Sequence, residues 1–412
     1  MTRKEPISII KRIEEVIREQ WECDAFTDYG SDLTYQYGDV AIRICYLHML
    51  FETLGIKPGD KVAICSKNSS NWAISMLAIL TYRAVAVPLL PDYSKEQLKM
   101  LCDHCGAKFM IAHHRLANLW PNGQCPLYMI DAEDLLTMTP DTLTDEVEDK
   151  AFNLFHQRYP NGYTKEHVHY EAEQPEELMI LSYTSGSTGN PKGVMLPWRS
   201  LMSNIRFAAD AFPCQKDMRL LLVLPMAHMY GFALDFLYGI MCGAHLTVLT
   251  KLPAPKVILK ALATVRPHYF LCVPLVMEKI INSKVMPLLN RPFMKVMFLI
   301  PGIHELICWK IRKKLIKDFG GNIYEVMIGG APLNKKIEKL LRVMAFRYTI
   351  GYGMTECGPM ITYSDWKKHH LGSCGKAVLG MEVKVDSPDP KRIPGELITK
   401  VPSMMLGYYK ND

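Results

Sequence analysis

The chain has 412 residues, 49% apolar and 22% charged, with a formal net charge of +6. That length exceeds one compact core and asks for two or more domains, and the composition is that of an ordinary soluble globular protein. The mild positive charge is no basic tract for nucleic acid. No aromatic-interleaved Lys/Arg stripe, zinc-finger spacing or internal repeat is present, and twelve cysteines without an export signal read as free thiols of a reducing cytoplasm.

In chain order, Ile10, Ile13, Ile17 and Trp21 recur at helical spacing and predict a surface helix docked by one face. KVAIC (61–65) predicts a strand, Asn71 to Tyr82 a helix, AVAVP (84–88) a strand, Glu96 to Asp103 a helix and KFMIA (108–112) a strand. This βαβ rhythm predicts parallel sheets covered by helices. From Asp134 to Glu177 the chain turns acidic and polar, with Pro160 and Gly162, and reads as a loose surface excursion.

The alternation resumes with strands at 220–224, 245–249, 268–273, 323–328 and 347–350. Helices are expected at 231–241, 257–265, 275–281, 305–319 and 335–343. The nearly uncharged run from Leu220 to Thr250 has the length of a membrane span. Pro225, three glycines and the change from strand-like to helix-like rhythm and back read better as a buried strand, helix and strand, so no transmembrane helix is predicted. Beyond about residue 365, short turn-rich segments predict a small β region. The expected fold is α/β: a first subdomain over 1–177, including the excursion 134–177, a second over 178–360, and a β-barrel-like region over 361–412. Ligands are expected where strand ends and glycine turns converge.

YTSGSTGNPKG (183–193) lies between apolar LMIL and VML. Its glycines let backbone N–H groups converge on an anion, its four hydroxyls add donors, and Lys192 adds a point charge for phosphate oxygens. The lysine sits in a Pro-Lys-Gly context, which excludes a Walker A loop. A plain hairpin turn is the competing reading, and four hydroxyls with a lysine exceed what a turn needs.

This stretch resembles the signature of the adenylate-forming superfamily, which includes acyl-CoA synthetases, luciferases and peptide-synthetase adenylation domains. LPMAHMYGF (224–232), GGAPL (329–333), GYGMTE (351–356) and GELITKVPSMMLGYYKND (395–412) resemble further motifs of that superfamily, in the same order. VPLVMEKI (273–280) and the AHMYGF form of the histidine motif are similar to bacterial long-chain fatty acid–CoA ligases. The resemblance implies a large N-terminal domain of the acyl-CoA synthetase type, with two parallel-rich sheets layered with helices and a small distorted β-barrel. It also implies activation of a carboxylate with ATP and Mg2+ to an acyl-adenylate, followed by transfer to CoA. Activation of an aryl acid on the same scaffold stays open, as does a non-catalytic nucleotide- or acyl-binding protein.

By that resemblance, Thr184, Ser185, Gly186, Ser187, Thr188, Gly189 and Lys192 hold the β- and γ-phosphates. Gly329, Gly330, Ala331 and Pro332 form the adenine-side turn, and Ile350, Gly351, Tyr352, Gly353, Met354 and Thr355 line the nucleotide, with Tyr352 stacking on adenine and Thr355 meeting the α-phosphate. Thr184 and Glu356 position Mg2+, and His228 stands beside the acyl carboxylate; Lys192, His228, Thr355 and Glu356 form the catalytic set. Taken alone, Glu356 reads as a solvated surface carboxylate and His228 as a satisfied core histidine; their motifs shift both toward function. Asp235 lacks the context that would suggest gripping an amino-acid amine. Cys102 and Cys105, with His113 and His114 nearby, lack a second CxxC at zinc spacing and read as free thiols. The Met and aromatic residues from Met229 to Met241 suit either an acyl tunnel or plain core packing.

The ribose-binding aspartate, the hinge and the adenylation lysine of such ligases have no counterpart up to Asp412. ATP–Mg2+ binding with little turnover is therefore expected of this chain. Pro197 and Trp198 stand where Thr-His is common, and Arg83 stands where glycine is usual, which puts local packing in doubt there. Fatty acid and CoA are the expected partners, the cytoplasm the expected compartment. Peripheral membrane contact and oligomeric state stay open.

Overall fold

The structure, a computed structural model, describes residues 8–113, 127–129, 145–185 and 191–411. Two seven-stranded sheets organise it. The first runs Gly407–Tyr408, Pro191–Pro197, Leu178–Ser185, Val85–Leu89, Lys61–Cys65, Phe109–Ala112 and Leu127–Met129. Its inner strands pair in parallel and the hairpin arms Leu178–Ser185 and Pro191–Pro197 pair antiparallel. The second runs Tyr348–Ile350, Glu325–Ile328, Tyr269–Cys272, Arg219–Leu222, His245–Val248, Asp24–Asp28 and Thr34–Gln36, parallel except at its last pair. Central strands such as Val85–Leu89 and Tyr269–Cys272 are buried along their whole length, as expected of parallel strands covered on both faces.

Helices fill the layers. Every residue of helix Ser70–Thr81 is buried, and its N-terminus is capped by the Ser69 hydroxyl, which accepts from the Trp72 N–H at 3.1 Å. Trp72 meets Phe236 edge-on at 6.0 Å, and Phe236 stacks with Phe26 at 6.3 Å, so the layers of both sheets share one core. The N-terminal helix Ile9–Glu19 buries Ile10, Ile13 and Ile17 as the spacing predicts.

The run from Leu220 to Thr250 is strand, helix and strand, and among the described residues no helix is long and apolar enough to cross a membrane. Its helix is not regular: Phe232–Leu237 forms a π-helical turn between short α-helical pieces.

The structure differs from expectation in three places. The described part of the polar excursion carries helix Asp145–Arg158, packed against helix Tyr37–Thr53; Val147, Ala151, Leu154 and Phe155 supply its inner face. Two strands cross the boundaries drawn from chain order. Asp24–Asp28 joins the second sheet beside His245–Val248, and Gly407–Tyr408 returns to the first beside Pro191–Pro197. A free strand edge accepts whichever segment completes its ladder, near or far in sequence. The region after residue 351 forms a three-stranded and a two-stranded antiparallel sheet. Arg83 adopts φ +60°, a conformation glycine takes without cost, and its guanidinium is held by Glu177 at 2.5 Å and Glu171 at 3.0 Å.

Candidate active site

The cleft lies where loops leave the C-terminal ends of the second sheet and face the hairpin of the first. Strand Glu325–Ile328 ends in Gly329 and Gly330, and the adjacent parallel strand Tyr348–Ile350 ends in Gly351. Gly330 turns the chain at φ +87°. Gly353 meets backbone: a Cβ there would lie 2.0 Å from the Pro359 carbonyl oxygen, which also accepts the Met354 N–H at 2.9 Å and so closes the GYGMTE turn. A cavity of about 320 Å³ opens here, lined by His228, Tyr230, Gly329, Gly351, Thr355 and Met360 among others.

His228 enters this cavity at the start of the helical segment Met229–Gly231. Its ring is reachable from the cleft yet enclosed by the walls, and that desolvation lowers its pKa, so the imidazole is neutral at physiological pH. The backbone on either side is fixed from the other layer. The Asn68 side chain donates to the Leu224 carbonyl at 2.7 Å and accepts from the Met226 N–H at 2.9 Å. Asp235, seven residues on, is fully buried in the π-helical turn, and among the described residues neither carboxylate oxygen has a hydrogen-bond partner; burial drives its pKa far above the carboxylate range.

In the first sheet, Thr184 and Lys192 are direct cross-strand partners in the hairpin and so share one face of it. The two arms pair as a hairpin, which fits either reading of the loop between them. Gly186, Ser187, Thr188 and Gly189 lie outside the described residues. The Lys192 ammonium sits 4.9 Å from the centre of the Tyr408 ring, and the Tyr408 hydroxyl donates to Glu356 Oε1 at 3.0 Å. One aromatic ring thus joins a cation from the first sheet to a carboxylate from beyond the second. Burial, then the neighbouring carboxylate, raise the Tyr408 pKa, which keeps that hydroxyl protonated as a donor.

Backbone contacts hold this clasp in register. The Met405 N–H donates to the Glu356 carbonyl at 2.9 Å, Leu406 to Met195 at 2.8 Å and Tyr409 to Gly193 at 2.7 Å. From behind, buried Asn204 on helix Trp198–Ala211 donates to the Cys357 carbonyl and accepts from the Met360 N–H at 2.9 Å.

The structure brings Lys192 and Glu356 to one ring, and His228, Gly329, Gly330, Gly351, Gly353, Met354 and Thr355 to one cavity. Ala331 and Pro332 are exposed next to it in sequence, Ile350 is buried, and Tyr352 is 40% exposed. Tyr408, Asn68 and Asn204 had no assigned role in the sequence. Only Tyr408 stood inside a recognisable motif, and nothing local to the two asparagines signals their contacts. Cys102 and Cys105 fall in helix Lys95–Cys105, with Cys105 Sγ turned to the Cys102 carbonyl; His114 lies outside the described residues. Among the described residues no group of three or more His, Cys, Asp or Glu could hold a metal ion. A hard ion held by Thr184 and Glu356 through oxygen alone, completed by phosphate oxygens and water, does not need such a group.

Two α/β layers with a hydroxyl- and glycine-rich hairpin facing glycine turns at parallel strand ends define a nucleotide-binding enzyme fold. The family described as AMP-binding enzyme matches residues 13–409, and the chain belongs to it. It is 26% identical over 408 residues to the long-chain-fatty-acid–CoA ligase FadD15 of Mycobacterium bovis, covering 93% of this chain and 64% of that protein. It is 24% identical to the 4-coumarate–CoA ligase of Vanilla planifolia, covering 92% and 65%. The fold matches the crystal structure of ATP-bound MatB from Rhodopseudomonas palustris with a TM-score of 0.72 at 20% identity, over 98% of this chain and 72% of that one. The chain thus spans less than two thirds of the length of these two ligases.

Proposed function

We propose that the chain binds ATP–Mg2+ and a fatty acid, and serves an AMP-forming acid–thiol ligase. The observation that carries this reading is the Tyr408 clasp, which holds Lys192 and Glu356 together beside the glycine-lined cavity. In the first step a carboxylate oxygen bonds to the α-phosphorus and the bond to the β-phosphate breaks, releasing pyrophosphate. In the second the CoA sulfur, after losing its proton, bonds to the acyl carbon and AMP leaves. Both reactants of the first step are anions, so charge neutralisation is the main demand on the protein.

Lys192 supplies the positive charge for the triphosphate. Glu356 and Thr184 offer oxygen donors that suit Mg2+, which when bound offsets further phosphate charge. Thr355 lines the cavity where the α-phosphate is assigned, and neutral His228 borders the acyl carboxylate without titrating it. Tyr352 offers its partly exposed ring to adenine. The long-chain assignment draws support from the fatty-acid ligase relative. An aryl acid is the second reading, favoured by the compact 320 Å³ cavity and the coumarate ligase relative.

Titration of the chain with Mg-ATP, together with pyrophosphate exchange over fatty, aryl and amino acids, tests the assignment. Saturable Mg-ATP binding is expected, with weak exchange that is largest for fatty acids. Exchange confined to aryl acids moves the substrate to the second reading, and absence of Mg-ATP binding refutes the nucleotide site.

A further inference from the structure

Outside the nucleotide motifs, residues 286–318 form two short helices, Met286–Leu289 and Pro292–Met297, followed by helix Ile303–Asp318. The long helix turns Cys308, Ile311 and Leu315 inward and packs against helix Pro255–Val265. Before it, Phe293 is 69% exposed, Val296 61% and Leu299 83%, with Ile300 also open; Leu306 and Trp309 continue the apolar strip onto the outer face of the helix. Exposure this high leaves these side chains as projections rather than as the walls of a groove.

The same outer face then changes character. Lys310, Lys313, Lys314 and Lys317 follow at helical spacing, all exposed, and the Lys313 ammonium lies 5.1 Å from the Trp309 ring centre. Between 291 and 318 the sequence holds seven basic residues against two acidic ones. Next to it a surface cleft of about 880 Å³ is lined by Lys256, Lys260, Lys284 and Lys317, with Asp318. Among the described residues none of these lysines is in an ion pair.

We propose that this face docks on an anionic lipid bilayer, with the 293–300 segment among the acyl chains and the lysines at the level of the headgroups. A contiguous apolar projection costs solvation free energy in water and recovers it in hydrocarbon. An adjoining band of unpaired ammonium groups complements acidic headgroups, and tryptophan at the junction suits the interface. An acidic protein partner would match the charge but offers no reason for projecting Phe293 and Leu299 without a groove. The proposal does not depend on the ligase reading.

Co-sedimentation with phosphatidylcholine vesicles, with and without phosphatidylglycerol, tests it. The chain is expected to bind the anionic vesicles at low salt and to release in high salt. The pair Phe293→Asp and Leu299→Asp, and separately the pair Lys313→Glu and Lys314→Glu, are each expected to weaken binding at least tenfold with an unchanged melting temperature. Lys313→Arg with Lys314→Arg is expected to keep it. Failure of the wild-type chain to bind, or indifference to either disruptive pair, overturns the proposal. So does light scattering that shows a self-associated chain made monomeric by the aspartate pair while vesicle binding is unaffected, or equal binding of polyglutamate by the wild type and the aspartate pair.

Discussion

The two seven-stranded sheets contribute two walls, joined through Tyr408, by different means. The second sheet uses the ends of buried parallel strands, where close packing leaves no room for a side chain: Gly329 lies against the Tyr230 ring, Gly351 against the Met360 side chain and Gly353 against the Pro359 backbone. The first sheet uses a projecting antiparallel hairpin, and Lys192 is positioned by a ring borrowed from residue 408. A wall made by packing fails when atoms are added to it. A wall made by a polar clasp fails when atoms are removed.

The largest effect is expected where both walls lose a charge. Lys192→Ala and Glu356→Ala should each weaken Mg-ATP binding about ten- to a hundredfold, the range for a lost charge-assisted contact. The melting temperature should stay nearly unchanged, since both side chains are only partly buried. Calorimetric titration of the single and double variants checks this. Additive losses would show that the Tyr408 clasp does not couple the walls.

Next comes the packed wall. Gly353→Ala places a methyl group into the Pro359 carbonyl and should reduce nucleotide affinity about tenfold by shifting Thr355 and Glu356. Gly395→Ala meets a similar obstacle, the Asp386 carbonyl at 2.0 Å, in a hairpin away from the cleft. It should lower the melting temperature and leave affinity alone. Equal affinity in both variants would deny Gly353 a role in shaping the cleft.

Tyr408 separates the two parts of the clasp. Tyr408→Phe keeps the ring under Lys192 and loses the hydroxyl on Glu356, for an expected loss of about threefold. Tyr408→Ala loses both and should fall between that value and the Gly353→Ala effect. If phenylalanine and alanine behave alike, the ring contact contributes nothing and the hydroxyl alone matters.

The packed wall was the more legible one. GGAPL and GYGMTE follow apolar strand runs directly, so the glycines could be placed at strand ends from sequence, and KVAIC and 335–343 coincide with their elements. The clasp was not legible, because Tyr408 reaches Lys192 and Glu356 through pairing across more than two hundred residues in one case and fifty in the other. Nothing in MLGYYK announces an edge strand of the first sheet. Asn68 and Asn204 are single polar residues whose backbone partners become visible only in three dimensions. Helix Asp145–Arg158 was hidden differently: Val147, Ala151, Leu154 and Phe155 keep helical spacing, but the acidic residues among them read as a solvated excursion.

The smallest effect probes whether the packed wall is independent of the far end of its own strand. Glu325 begins the strand that ends at Gly329, is buried, and has one oxygen without a partner while the other accepts from Tyr363 at 3.1 Å. Burial, opposed by the Tyr363 hydrogen bond, pushes its pKa up to about 7. Because the folded pKa exceeds the unfolded one, folding binds a proton here. Stability is unaffected below about pH 4, falls as pH rises toward 7, and stays reduced above it. Glu325→Gln cannot ionise and should therefore raise stability by about 1 kcal/mol at pH 8, once the cost of its own unsatisfied amide is taken off. At pH 4, where Glu325 is largely protonated in the folded and unfolded chain alike, the gain should be gone and only the amide's cost should remain, leaving the variant slightly less stable, as read by thermal or denaturant unfolding at the two pH values. Nucleotide affinity should not change, because three buried strand residues, Val326 to Ile328, separate Glu325 from the glycine turn. A variant that stabilises equally at both pH values would show that Glu325 is not the ionising group, and one that alters affinity would show that the strand transmits strain to the cleft.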